Sequence, residues 1–303
     1  MKKAIVTGAS GFIGGWLIAE LLRNDVQVIA IVRDGQSDVS RIPDQVRIVH
    51  CDLKNIKKLD SIVNDRDIDV FYHLAWSGTS GSDRANYEMQ MMNVIYSCDA
   101  ALVSKALGCE KFIALGTITE NVAKGAIDHR LYSDNLIYGM AKHTTRSVLD
   151  IICHKNDISY VWAQLSNIYG DDNRTGNILS YTISELLKGN KPKFSKAEQP
   201  YDLMYVGDAA RALFLLGNRA VNHSFYFIGT GTPKILKDYL NAVKAAFGPH
   251  AELGFGERPD DGATFEWEWF DTSALLHDTG FTVRHVFEVN IKEIIAKLLK
   301  DKL

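Results

Sequence analysis

Tyr138 and Lys142 stand four residues apart in the segment YGMAK, a spacing that on a helix puts both side chains on one face. A phenol and an ammonium would then share one small volume. A free phenol has a pKa near ~10 and exchanges protons poorly at neutral pH, whereas adjacent positive charge stabilises phenolate by ~1–3 units, each about 1.4 kcal/mol. Tyr138 is on this reading a general acid or base poised by its neighbour. With twelve tyrosines in the chain, such a pair arises by chance, so its position decides. The helix follows an apolar run, KFIALGT (111 to 117), and in an open α/β sheet ligands gather at the carboxyl ends of the strands. Thr117 ends that run. Its hydroxyl can hold a substrate oxygen and steady charge developing there, or it can simply bond backbone at a strand end.

A second constellation lies in KKAIVTGASGFIGGWL. Ala4, Ile5 and Val6 make the short apolar run of a parallel strand buried on both faces, and Gly8 permits a sharp turn out of it. Gly11 would let the backbone approach a pyrophosphate, and Gly14 would let the next helix lie close to the strand, its N-terminal N–H groups facing anionic oxygens. The spacing differs from G-x-G-x-x-G. Strand before and helix after nevertheless make this an expected dinucleotide phosphate cradle.

The next apolar run, VQVIAIV (26 to 32), ends in Val32 and Arg33, with Asp34 one residue late. A carboxylate at that strand end bonds a ribose 2′-hydroxyl, whereas an arginine accommodates a 2′-phosphate through charge-assisted donors. NADP is therefore expected over NAD, which remains possible; the plainer alternative is a solvated loop arginine. Asp52, after a third run, either accepts from an adenine amino group or caps a turn.

These residues need a frame. Further strands are expected at VRIVHCD (46 to 52), DVFYHLAW (69 to 76) and ISYVWAQLS (158 to 166), with long helices near 84 to 107 and 136 to 155. Such alternation predicts an α/β, Rossmann-type doubly wound parallel sheet. The rhythm breaks after Ile168, which suggests a dinucleotide-binding domain over residues 1–168, to which later segments return, and a smaller mixed C-terminal substrate lobe over 169–303. The formal net charge of −3 across 303 residues gives no electrostatic case for nucleic acid. No apolar run approaches the ~20 residues of a membrane span, and no signal peptide is read at the start, so a cytoplasmic protein is expected. Four scattered cysteines and nine histidines show no metal-ligand spacing, so no metal is expected.

Taken together, TGASGFIGGWL, CDL (51 to 53), YHLAW (72 to 76), Asn93, FIALGT, YGMAK, LSNIYG (165 to 170), YDLMYVGDAARAL (201 to 213) and FGERPDD (255 to 261) resemble the extended short-chain dehydrogenase/reductases, the NAD(P)-dependent epimerase/dehydratase group that acts largely on nucleotide sugars. The resemblance implies Tyr138, Lys142 and Thr117 as the catalytic set, Lys142 also bonding the nicotinamide ribose. It places Gly8, Ser10, Gly11, Phe12, Ile13 and Gly14 at the pyrophosphate, Asp52 and Leu53 at the adenine, Leu74 and Ala75 near the adjoining ribose, and Leu165 and Ile168 beside the nicotinamide. Asn167 and Arg258 match positions that meet the substrate's phosphates; a guanidinium suits a diphosphate, and a surface salt bridge is the alternative for Arg258. A homodimer through the two long helices is also implied.

Departures from the family pattern narrow the reaction. Thr117 is followed by Ile118, Thr119 and Glu120 rather than the Thr-Asp-Glu run of sugar dehydratases, which disfavours elimination. Val32 and Arg33 replace the acid that many NAD-retaining epimerases carry. The leading expectation is an NADPH-dependent reductase of a nucleotide-linked 4-keto-6-deoxy sugar. The alternatives are a nucleotide-sugar epimerase with bound NAD, a reductase of a non-sugar carbonyl with Trp76, Trp267 and Trp269 around an apolar pocket, and a non-catalytic NADP-binding regulator.

Overall fold

The computed structural model describes residues 1–171, 173, 176–259 and 265–300. Strands and helices alternate through β1 (Lys3–Thr7), α1 (Phe12–Arg23), β2 (Gln27–Val32), β3 (Arg47–His50), α2 (Leu59–Ile62), β4 (Val70–His73), α3 (Tyr87–Ala106), β5 (Lys111–Thr117), α4 (Thr119–Asp128), α5 (Leu136–Lys155) and β6 (Tyr160–Leu165). Then follow β7 (Asn167–Tyr169), α6 (Ile178–Leu187), β8 (Pro200–Tyr201), β9 (Leu203–Tyr205), α7 (Val206–Asn218), β10 (Phe225–Ile228), β11 (Lys234–Ile235), α8 (Leu236–Phe247), α9 (Ser273–Thr279) and α10 (Phe287–Lys300).

The main sheet runs β10-β6-β5-β4-β1-β2-β3, every pair parallel. Both faces are covered, so its strands are apolar throughout rather than alternating. Ala4, Val6, Val28, Ala30, Ile113 and Leu115 join Leu17, Ile18 and Leu21 of α1 and Leu213 of α7 in one core. Ile5, Ile29, Phe71, Phe112 and Trp162 join Ala100 and Ala101 of α3 and Leu149 of α5 in the other. The order reverses between β1 and β4, which opens a crevice at their carboxyl ends.

One feature differs from the sequence expectation. Between β5 and α5 lies α4, whose run TENVAKGAID is amphipathic but holds few large apolar residues. Further on, β10 returns to pair with β6 as the seventh strand, and α7 packs beside α1. The remaining C-terminal elements form their own core, where Tyr239 and Val243 of α8 meet Leu179 of α6 and Phe287, Ile291 and Ile295 of α10. They connect to the sheet through two small ladders, β7 with β9 and β8 with β11. Among the described residues no helix is long and apolar enough to cross a membrane.

Candidate functional site

A cavity of about 280 Å³ opens at the carboxyl ends of β1 and β2, walled by Gly8, Ser10, Gly11, Arg33, Asp52, Leu53 and Ala75. Its floor has no room for side chains: a Cβ on Gly8, whose φ is +68°, would lie 2.8 Å from the Ala75 nitrogen, and one on Gly14 would lie 2.2 Å from the Gly8 carbonyl oxygen. Gly11 caps α1 without a side-chain bond, so the first amides of that helix are available to an anion. The residues present therefore fit a dinucleotide pyrophosphate. Phe12, Ile13, Leu74, Leu165 and Ile168 are not among the cavity walls. Ile13, Leu74, Leu165 and Ile168 pack in the core beneath it, and the Phe12 ring lies against Gly170.

At the cavity mouth the Arg33 guanidinium is mostly exposed and 3.3 Å from Asp34. Asp34 also accepts from the Gln36 amide and the Ser37 hydroxyl, and these bonds hold its carboxyl below the usual range. Ser37 lines the same cavity. The Asp52 carboxylate caps the following turn by accepting from Lys54 N at 2.9 Å, and the residue walls the cavity.

The catalytic candidates converge where β5 meets α5. Tyr138 and Lys142 are both buried, at 8% and 5% exposure. Lys142 Nζ donates to the Leu115 carbonyl at 2.7 Å and sits 3.7 Å from the centre of the Trp76 ring. Burial pushes Lys142 down to about 7, opposed by the charge of Glu120. Burial pushes Tyr138 up to about 12; the Arg84 guanidinium acts to lower it, while Glu120 raises it. Arg84 lies 4.2 Å from the Tyr138 ring centre. Sequence reading made Lys142 the cation that lowers the phenol; in the structure the cation acting on it is Arg84, and burial outweighs it, so the phenol is raised. Thr117 also fills its plainer role, for its hydroxyl accepts from the Thr119 amide at 3.3 Å.

The segment that carries Trp76 and Arg84 is clamped by α3. Gln90 accepts from Trp76 Nε1 at 2.8 Å and donates to the Gly78 and Asp83 carbonyls, while Asn93 bonds both the amide and the carbonyl of Ser77. Beneath runs a buried polar line. Ser97 donates to the Asn93 carbonyl, so it accepts from His73 Nε2, and His73 Nδ1 accepts from Thr7, whose oxygen receives the Ala75 amide. This fixes one neutral tautomer, and burial pushes His73 down to about 3.

A larger cavity, about 770 Å³, lies in the C-terminal region, with Tyr181, Lys193, Gln199 and Arg258 in its wall. Arg258 donates to the Tyr181 hydroxyl at 2.9 Å and stacks over its ring. Asn167 is held away from that cavity, accepting from Tyr201 OH at 2.9 Å and donating to the Asp202 carbonyl. Asp260 and Asp261, the end of FGERPDD, lie outside the described residues. Trp269 packs on Phe265, whereas Trp267 is half exposed, so the three tryptophans do not build one pocket. Among the described residues no cluster of His, Cys, Asp or Glu could hold a metal ion.

The sequence profile of the NAD dependent epimerase/dehydratase family matches residues 4–229. The chain belongs to that family. A CDP-abequose synthase of Salmonella typhimurium is 27% identical over 97% of this chain and 97% of its own. A putative UDP-glucose 4-epimerase of Methanocaldococcus jannaschii is 24% identical over 86% of this chain and 87% of its own. The solved structure of the Thermotoga maritima UDP-glucose 4-epimerase with UDP-glucose superposes with a TM-score of 0.79 at 20% identity, covering 99% of this chain and all of that one. The Rossmann-type sheet of this epimerase/dehydratase family member, its NAD(P) cradle and its standing as an enzyme follow together.

Four residues of the site were missed in the sequence. Arg84 and Gln90 lie in and beside an irregular segment whose path no local pattern discloses. Ser37 sits in a loop. Glu120 was read only as a departure from another motif, although a charged residue three positions past a strand end is a visible signal.

Proposed function

We propose that this chain catalyses hydride transfer at a carbonyl carbon of a nucleotide-linked sugar, with Tyr138 as the proton partner. One observation carries the reading: Tyr138 and Lys142 both meet Trp76, a residue that also walls the cavity at the glycine turn. A nicotinamide dinucleotide, when bound there, supplies or accepts the hydride. Tyr138 gives its proton to the sugar oxygen as the carbonyl is reduced and takes it back in the reverse direction. Thr117, at the carboxyl end of β5, orients the same oxygen. Arg258 and Lys193, in the wall of the larger cavity, suit the substrate's diphosphate. On this reading residues 1–168, with α7 and β10, hold the dinucleotide, and the rest of 169–303 holds the nucleotide sugar.

Two versions differ in the fate of the hydride. An epimerase returns it to the sugar and keeps NAD; the family description and the putative UDP-glucose 4-epimerase relative favour this version. A reductase of a 4-keto-6-deoxy sugar consumes NADPH, and Arg33 favours that. Incubation with NADPH and CDP- or dTDP-linked 4-keto-6-deoxyhexose decides between them. Stoichiometric oxidation supports reduction, whereas nicotinamide that copurifies with the protein and isomerises a nucleotide sugar without net consumption supports epimerisation. Absence of both activities defeats the reading. Two chains are further proposed to pair through α3 and α5.

A further inference from the structure

Glu120 is 1% exposed, and its surroundings are built around it. The Thr117 amide donates to its Oε1 at 2.6 Å, and Trp162 Nε1 donates to its Oε2 at 3.2 Å. Gly116 leaves the space: a Cβ there would lie 2.5 Å from Glu120 Oε1 and 2.3 Å from Trp162 Nε1. Every one of these donors is neutral. Lys142, from the neighbouring helix, approaches the same indole, its Nζ 5.8 Å from the Trp162 ring centre, and donates to the Leu115 carbonyl two residues before Thr117; its charge acts on the carboxylate.

A buried charge costs several kcal/mol unless a partner offsets it, and otherwise the group neutralises. Lys142 is in that position, with one carbonyl and the Trp76 face as its contacts. We propose that Glu120 is a positioning residue whose buried carboxylate keeps Lys142 an ammonium and fixes the strand end that carries Thr117. This rests on the hydride-transfer reading for its consequence in turnover, but not for its physical content. Burial raises Glu120 to about 7, opposed first by the Thr117 amide and then by the charge of Lys142, and the Glu120 carboxylate in turn opposes the effect of burial on Lys142. The remaining titratable neighbours are Tyr138 on α5 and Tyr160 on β6, both raised by Glu120 as well as by burial, with Arg84 facing Tyr138 and His73 facing Lys142.

The test follows the ¹³Cε chemical shift of Lys142 with pH in the full chain labelled at lysine, the signal assigned by its absence in Lys142→Arg. Glu120→Gln should lower the midpoint of that titration by at least one pH unit, and Glu120→Asp should restore part of it. The pH profile of kcat/KM should move by the same interval. An unmoved lysine midpoint in folded Glu120→Gln overturns the proposal. Should that variant not fold, Trp162→Phe removes one donor from the carboxylate and must move the midpoint in the same direction; no movement there overturns it equally. The lysine shift needs no substrate, so it stands or falls separately from turnover, which Tyr138→Phe tests.

Discussion

The Arg84 guanidinium lies over the Tyr138 ring, 4.2 Å from its centre, and no carboxylate within ion-pair distance neutralises it among the described residues. It donates to the Thr79 carbonyl at 3.3 Å. The cation therefore acts on the phenol, in the sense opposite to burial. Removing it in Arg84→Gln should raise the Tyr138 pKa further by about one unit, a factor of ten in phenolate at any pH below it. In alcohol oxidation, where Tyr138 accepts a proton, the rate at pH 7–9 should fall about ten-fold. Carbonyl reduction, which uses the protonated phenol, should change little over that range. Equal losses in both directions would show that Arg84 binds substrate rather than poising Tyr138.

Tyr138→Phe keeps the ring that packs against Trp76 and Arg84 and removes only the hydroxyl. Turnover should fall by roughly 10²–10⁴, the usual worth of a positioned acid–base group, while dinucleotide affinity, measured by fluorescence titration, stays within a few-fold. Near-normal turnover would remove Tyr138 from the chemistry.

What could be read in the sequence, and what could not, divides by the range of the interaction. The β strands of the main sheet are continuous apolar runs, as burial on both faces demands, and β5 and α5 fall at the residues expected. Gly8 and Gly14 are legible because no other residue fits their close contacts. The glutamine and asparagine on α3 that clamp the Trp76 segment act across a loop, and nothing local announces them. Asn167 carried a family expectation, yet its amide is spent on Tyr201 and Asp202, a partnership that forms only once β7 and β9 pair. β10 joins the sheet from sixty residues downstream of β6 by sequence logic no periodicity contains, since a four-residue apolar strand looks alike in any sheet.

Arg33 and Ser37 wall one cavity, which gives a direct test of cofactor choice. If they receive a 2′-phosphate, Arg33→Asp should weaken NADP about 10–100-fold, the worth of one or two hydrogen bonds to a charged group, and leave NAD within a few-fold. Calorimetric titration with both dinucleotides checks it. An unchanged ratio of affinities would leave Arg33 as a surface residue and strengthen the epimerase version.

Gly14→Ala places a methyl 2.2 Å from the Gly8 carbonyl oxygen and 2.9 Å from that of Ala9, both rigid backbone. The turn must open, at a cost of about 1–3 kcal/mol in stability and with loss of the dinucleotide cradle. Gly35→Ala is the control, because a Cβ there meets nothing within 4 Å. Thermal unfolding should separate the two variants clearly; equal melting temperatures would show that the turn is looser than its contacts imply.

The core side of α3 carries Gln90, Asn93, Val94, Ser97, Ala100 and Ala101, yet the same helix exposes Met91 at 41%, Ile95 at 49% and Leu102 at 42%. These recur at intervals of four and seven, one stripe on the face turned away from the sheet. Ile151 on α5 is 69% exposed, and Met91 shares a shallow cavity of about 410 Å³ with Ile137 and Met140 of α5. Apolar surface gathered on two adjacent helices is the expected mark of a partner, and a two-fold axis between them would bring α3 and α5 of each chain against those of the other, so that each apolar residue acts twice. Sedimentation should therefore give about twice the 33.8 kDa of one chain. Ile95→Glu buries two like charges in such an interface and should yield monomers, Ile151→Glu the same, while melting temperature drops with dilution only in the parent protein. A parent chain that sediments as a monomer would sink the pairing.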